Sequence, residues 1–103
     1  MIIVETAVFT KLICELMSDD DYRELQLALV NRPNIGDLII GSGGLRKVRW
    51  TLARRGKRGG IRVIYYWAGK DEQIRMLYAY PKGNRENLTK EQLNQLKNIV
   101  KRW

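Results

Sequence analysis

Four cations are spaced as a set that could handle phosphate. Residues Leu45 to Leu52 alternate, so Lys47, Arg49 and Thr51 share one face of a strand and Val48, Trp50 and Leu52 the other. Arg62 stands near the start of the next alternating stretch, Ile61 to Trp67, which a hairpin would pair with the first. Lys82 closes a third stretch, Ile74 to Lys82. Such a cluster can bind phosphates, or it can stabilise the extra negative charge on phosphorus during an in-line displacement. RNA carries its own nucleophile in the 2′-hydroxyl, so an enzyme need only orient it, remove its proton and protonate the leaving 5′-oxygen. A lysine among other cations has its charged form disfavoured and could act as general base. A bound phosphate pushes its pKa the other way, so spacing leaves acid and base unassigned. Spacing also leaves open a cationic sheet face that only binds.

Other chemistries are harder to build. The chain has no histidine, which removes a His–His pair for RNA hydrolysis, a Ser-His or Cys-His nucleophile and an imidazole zinc ligand. Cys14 is the one cysteine; it lies in an apolar helical pattern and is expected in the core, with no disulfide and no thiolate metal site. Asp19, Asp20 and Asp21 are consecutive and diverge, which suits capping rather than a metal. Asp71 with Glu72, and Glu86 with Glu91, do not resemble a two-metal or glycosidase pair. No metal and no cofactor is expected. Gly41-Ser42-Gly43-Gly44 is not followed by a helix, and Gly56-Lys57-Arg58 lacks the rest of a P-loop, so these glycines are expected to serve tight turns.

The 103 residues carry 19 Lys and Arg against 11 Asp and Glu, a net charge of +8. Net charge is −4 over residues 1–41, +9 over the acid-free stretch 42–70, and +3 from there to Trp103. A surface made basic for solubility alone would intersperse its signs. The asymmetry points to a polyanion partner meeting the middle third, where Arg46, Arg54, Arg55, Lys57 and Arg58 extend the cationic set. Arg85 adds to it from beyond the third strand. Tyr66 and Tyr80 are candidates to reach the same face and stack on a base, while Trp50, Val63, Tyr65 and Trp67 read as sheet core. The N-terminus MIIVETAVF has no basic region and soon meets Glu5, and no uncharged run is long enough to cross a bilayer. A cytoplasmic protein with no membrane partner is expected.

The elements that must hold these residues follow from pattern. Ile2-Ile3-Val4 reads as a strand. Phe9, Leu12, Ile13, Leu16 and Met17 mark one helix, and Tyr22, Leu25, Ala28 and Leu29 a second that Ser18 caps and Pro33 ends near Asn31. Three strands joined by a basic turn (residues 54–60) and by Gly69-Lys70-Asp71 form an antiparallel meander. Thr89 and Gln92 make a capping box, Leu88 can staple onto Leu93, and Leu93, Leu96, Ile99, Val100 and Trp103 supply the buried face of a closing helix. The expected fold is one α+β domain over residues 1–103: N-terminal strand, two helices, three-stranded antiparallel meander and C-terminal helix. The helices would cover one sheet face, with the cations on the other face or an edge.

Several motifs together resemble the RelE/ParE superfamily of bacterial toxins, and within it the HigB-type toxins of type II toxin–antitoxin modules. They are Gly36-Asp37, Gly41, the run Gly43 to Arg49, Gly56 to Gly60, Arg62 to Tyr66, Tyr80, Lys82, Leu88-Thr89 and Gln92. The resemblance implies a RelE-like fold and a ribosome-dependent mRNA endoribonuclease, cutting the codon in the ribosomal A site to leave a 2′,3′-cyclic phosphate and a 5′-hydroxyl. It implies that Lys47 and Arg49 flank the substrate and that Arg62 grips the phosphate. Lys82, or else Arg85, would assist leaving-group protonation. Partners implied are mRNA and the ribosome, a cognate antitoxin encoded next door, and operator DNA only through the toxin–antitoxin complex. RelE carries a C-terminal tyrosine in its site and some HigB-like relatives a histidine; neither is present after Tyr80, so Tyr80, Tyr66 or a lysine would act as base. The alternatives are a ParE-like gyrase poison on the same fold and a nucleic-acid-binding module without catalysis.

Overall fold

Each of the three described α-helices begins at a hydroxyl. Thr6 caps α1 (Ala7–Leu16), Ser18 caps α2 (Asp19–Asn31) and Thr89 caps α3 (Lys90–Arg102), accepting from the amides of Phe9, Asp21 and Gln92. The Gln92 side chain accepts in return from the Thr89 amide, completing the capping box. Asp19 to Asp21 occupy the first turn of α2, where the helix dipole favours them. The structure, a computed structural model, describes residues 1–52, 60–83 and 87–103.

Among the described residues, five strands form one mixed sheet: β1 (Ile2–Glu5), β2 (Asp37–Leu38), β3 (Leu45–Thr51), β4 (Gly60–Ala68) and β5 (Gln73–Pro81), in the order β1-β5-β4-β3-β2. The expected meander is its centre, with β3, β4 and β5 antiparallel. Two edges are added to it. β1 pairs parallel to β5, and the two-residue β2 pairs antiparallel to β3 with Asp37 opposite Lys47.

The sheet is covered on both faces, which corrects the expectation of helices on one side. Phe9, Ile13, Leu25 and Leu29 of α1 and α2 pack with Val48, Val63, Tyr65, Ile74 and Met76 on one face. Leu96 of α3 packs with Leu45, Ile64, Leu77 and Tyr80 on the other. An amphipathic stripe requires a helix to be buried but does not say against which face. Consequently α3 shares its face with the cations instead of lying opposite them.

A β-bulge at Leu77 decides which side chains of β5 reach that face. Tyr65 pairs with Met76 while Ile64 pairs with Tyr78, so Leu77 is the extra residue. Ile74 and Met76 belong to the α1–α2 core, and strict alternation would send Tyr80 there too. Past the bulge the parity flips, and Tyr80 emerges on the α3 face, directly opposite Arg62.

Two turns fix the β2 edge. Gly41, Gly43 and Gly44 all have positive φ (71°, 74° and 110°), so the glycine cluster serves a tight turn as expected. Buried Ser42 ties it to β3 by accepting from the Leu45 amide at 2.9 Å. On the α1–α2 face the Tyr65 hydroxyl donates to the Pro33 carbonyl (2.7 Å) and accepts from the Gly36 amide (2.9 Å), pinning the segment that leads into Asp37. Elsewhere Glu5 accepts from Thr10 and from Tyr22, joining β1 to both helices.

Burial is the main reason that the hydroxyls of Tyr22 and Tyr65 hold their protons above the ordinary tyrosine range; the Glu5 carboxylate adds to the effect at Tyr22. A raised folded-state pKa contributes stability in full below the unfolded value and loses it as pH climbs towards the folded one. Unfolding midpoints in urea should therefore drop above about pH 10, where unfolded tyrosine ionises. The Tyr22→Phe/Tyr65→Phe double variant should be less stable at pH 8 yet show a shallower decline from pH 9.5 to 11.5. An unchanged slope would remove these two hydroxyls as its cause.

Several core expectations fail at the ends of elements. Cys14 is exposed, because α1 buries the Phe9–Ile13–Met17 line beside it. Trp67 is exposed at the end of β4. Ile99 and Trp103 are exposed as well, although the Arg75 guanidinium lies 5.0 Å from the Trp103 ring centroid.

Candidate active site

Strand register assembles the cations. Arg49 on β3 stands directly opposite Arg62 on β4, which stands opposite Tyr80 on β5. Lys47 lies one alternation along, in the row Asp37–Lys47–Ile64–Tyr78. Directly opposed residues hold their Cβ atoms about 4.5–5.5 Å apart. Lys82, just past β5, joins the row from below. A Cβ placed on Gly60 would lie 3.4 Å from Arg62 Nη1 and 3.6 Å from Lys82 Cβ, so the two side chains flank that glycine. The Lys82 amide also donates to the Gly60 carbonyl at 2.9 Å.

This arrangement runs against stability. Two guanidiniums face each other across a strand pair, where like charges are unfavourable, and Arg62 is only 5% exposed. Burying a cation costs several kcal/mol unless other groups compensate it. Lys47, Arg49, Arg62 and Tyr80 each make interactions within the chain, and the Lys47 ammonium donates to Asn87 Oδ1 at 2.7 Å. A half-buried cationic row beside an aromatic hydroxyl is suited to an anion that brings its charge from outside.

Beside the row lies a groove of about 370 Å³, walled by the segment Asp37–Ile40 on one side and by Asn87, Leu88 and Leu93 on the other, with Lys47 and Arg49 along its floor. The size is that of a small-ligand site. The sequence matches the family model for the RelE toxin of the RelE / RelB toxin-antitoxin system over residues 7–103.

The chain belongs to the RelE toxin family. It is accordingly the toxin of a type II toxin–antitoxin module, and membership implies an antitoxin partner. Among the described residues of this RelE-family chain, no group of three or more His, Cys, Asp and Glu is placed to hold a metal ion. None of its described helices is long and apolar enough to cross a membrane.

The structure of the RelE-family toxin brings together Lys47, Arg49, Arg62, Lys82 and Tyr80 of the expected set. Arg54, Arg55, Lys57, Arg58 and Arg85 lie outside the described residues. Two candidates stand apart. Arg46 points to the α1–α2 side of β3, where its Nη1 donates to the carbonyls of Gly36 (2.8 Å) and Asn34 (3.4 Å). Tyr66 is on the correct face but four residues along β4 from Arg62, about 13 Å at strand rise, packed against the α3 cluster and 5.9 Å from the Arg75 guanidinium. Sequence reasoning missed Asp37 and Asn87 as groove residues. Only the short β2 pairing places Asp37 opposite Lys47, and no pattern in the chain announces a two-residue strand.

Arg46 thus offers a control for the charge argument. Arg46→Ala should cost about 1–2 kcal/mol of stability, the worth of a partly buried charge-assisted bond. The slope of log affinity for single-stranded RNA against log salt should stay unchanged. Lys47→Ala or Arg49→Ala should each flatten that slope by about 0.7, one phosphate's counterions. Fluorescence anisotropy over a salt series distinguishes them.

Proposed function

We propose that this toxin cleaves mRNA in the ribosomal A site, and that the Arg49–Arg62–Tyr80 row with Lys47 and Lys82 is where it does so. The observation that carries the reading is a nearly buried Arg62 centred among cations, in a chain of the RelE toxin family. Arg62 would grip the non-bridging oxygens of the scissile phosphate, with Lys47 and Arg49 to either side. The 2′-oxygen attacks the adjacent phosphorus as its proton leaves for a base. The bond from phosphorus to the 5′-oxygen then breaks, giving a 2′,3′-cyclic phosphate and a 5′-hydroxyl.

Lys82, which flanks Gly60 together with Arg62, would give that oxygen its proton. Tyr80 and Lys47 remain as candidate bases, since Tyr66 packs under α3 away from the row. The cations supply the electrostatic stabilisation, with no metal ion or cofactor assigned to the step. Ribosomal binding of the mRNA would supply the in-line geometry, so free RNA should be cut little. The placement on the HigB-type branch, the adjacent antitoxin gene, repression of operator DNA through the complex and a cytoplasmic site of action belong to the same reading.

The deciding experiment is induced expression followed by mapping of new mRNA 5′ ends. Cuts confined to translated frames, lost when translation is blocked, support the proposal. Intact mRNA with inhibited gyrase supercoiling overturns it in favour of a ParE-like poison. Binding without cuts overturns it in favour of a non-catalytic module.

A further inference from the structure

The groove beside the cationic row has a feature that phosphate binding does not explain. β2 places Asp37 on the same face as Lys47 and directly opposite it, so a carboxylate lines a groove whose floor is Lys47 and Arg49. A carboxylate there opposes a polyanion. It becomes favourable where the anion also brings N–H donors. Apolar side chains also border the groove: Leu88 and Leu93 stand beside Asn87, and Ile40 across from them is 96% exposed. Flat aromatic faces suit such walls, and cations on the floor keep one end of the occupant at the phosphate row.

We propose that this groove holds the unpaired base of a nucleotide next to the bound phosphate, and that Asp37 selects guanine. Guanine presents N1–H and the N2 amine side by side on its Watson–Crick edge, and one carboxylate can accept from both. Adenine and cytosine offer a single amine. Uracil offers only N3–H, set between two carbonyl oxygens that the carboxylate repels, and is disfavoured. A good bidentate pair discriminates between bases by about 5- to 150-fold. Asp37 would be a specificity residue that touches the base and takes no part in bond breaking. The inference deepens the cleavage reading and rests on the same site.

Two measurements separate the inference from that reading. Titration of the wild-type toxin with guanosine 3′-monophosphate and uridine 3′-monophosphate, followed by amide NMR, should show guanosine binding at least about 5-fold tighter. Shifts should centre on residues 37–40. Asp37→Asn should abolish the preference while raising uridine 3′-monophosphate affinity, because a negative charge has left the groove. Mapped cut sites should be enriched in guanine at one fixed position beside the cut, and lose that enrichment in Asp37→Asn without a uniform loss of rate. Equal affinities in the wild type, or a preference that survives Asp37→Asn, overturn the assignment. A uniform fall at every cut site with unchanged base frequencies also overturns it, making Asp37 a scaffold residue. Nucleotide preference without any RNA cleavage overturns the cleavage reading and leaves the base site standing.

Discussion

Arg62→Met is expected to lower ribosome-dependent cleavage by about 1,000-fold, the scale seen when a transition-state cation or oxyanion donor is removed. The fall should lie mainly in kcat, because charge on the phosphoryl oxygens grows as the 2′-oxygen attacks. Methionine keeps the buried aliphatic volume and removes the guanidinium. Losing that group's interactions within the chain lowers stability, while ending the opposition with Arg49 across the strands raises it. The thermal midpoint should therefore stay within about 5 °C of wild type, roughly 1 kcal/mol for a domain of this size. Growth arrest on induction should disappear with the protein still folded. A fully toxic, folded Arg62→Met protein would place the site elsewhere.

Gly36→Ala should be the most damaging small substitution. A Cβ there would stand 2.8 Å from Tyr65 Cε1, 2.9 Å from its hydroxyl and 3.0 Å from the Lys47 carbonyl. Neither neighbour can give way, since the Tyr65 ring is fully buried and the Lys47 carbonyl belongs to β3. Overpacking costs about 1–3 kcal/mol, and displacing the hydroxyl from Pro33 and Gly36 adds about 1–3 more. A total of about 3 kcal/mol corresponds to a midpoint lowered by roughly 12–24 °C. Combining it with Tyr65→Phe tests the cause. The double variant removes the clashing oxygen, so its destabilisation should be smaller than the sum of the two single losses. Strict additivity would show that the contact is not what Gly36 protects. The neighbouring Asp37 should lose its alignment with the groove in the single variant.

Much of this was legible because local signals agreed. The hydroxyl caps at Ser18 and Thr89, the stop before Pro33 and the alternation from Leu45 to Leu52 all recur in the structure within a residue or so. The pairing of Lys47, Arg49 and Arg62 on one face followed from period two and a hairpin. What escaped was long-range. Nothing in the stripe Leu93–Leu96–Val100 says which sheet face it meets, and Ile2–Val4 gives no hint that its partner is β5 rather than β3. The run Met76-Leu77-Tyr78-Ala79-Tyr80 is apolar at every step, so its periodicity is silent where the bulge intervenes. Arg46 reads as one of the cations because its charge is plain in the sequence, whereas the carbonyls of Asn34 and Gly36 that occupy it come within reach only once the turn is folded.

The bulge at Leu77 also gives the site a one-sided tolerance of chain length that substitutions do not reveal. Leu77 is the residue that the ladder leaves unpaired, so deleting it would close the bulge into regular alternation, with Met76 still opposite Tyr65 and Tyr80 still opposite Arg62 on the α3 face. The loss would be that of one buried leucine, a matter of stability rather than of the site. An insertion beside Leu77 has no such slack: it leaves a second extra residue, and taken up as ordinary strand it turns Tyr80 towards α1 and α2. Deletion of Leu77 should therefore leave a less stable but still toxic protein, while a single insertion between Met76 and Tyr80 should abolish toxicity. Growth assays on the two kinds of length variant would display the asymmetry.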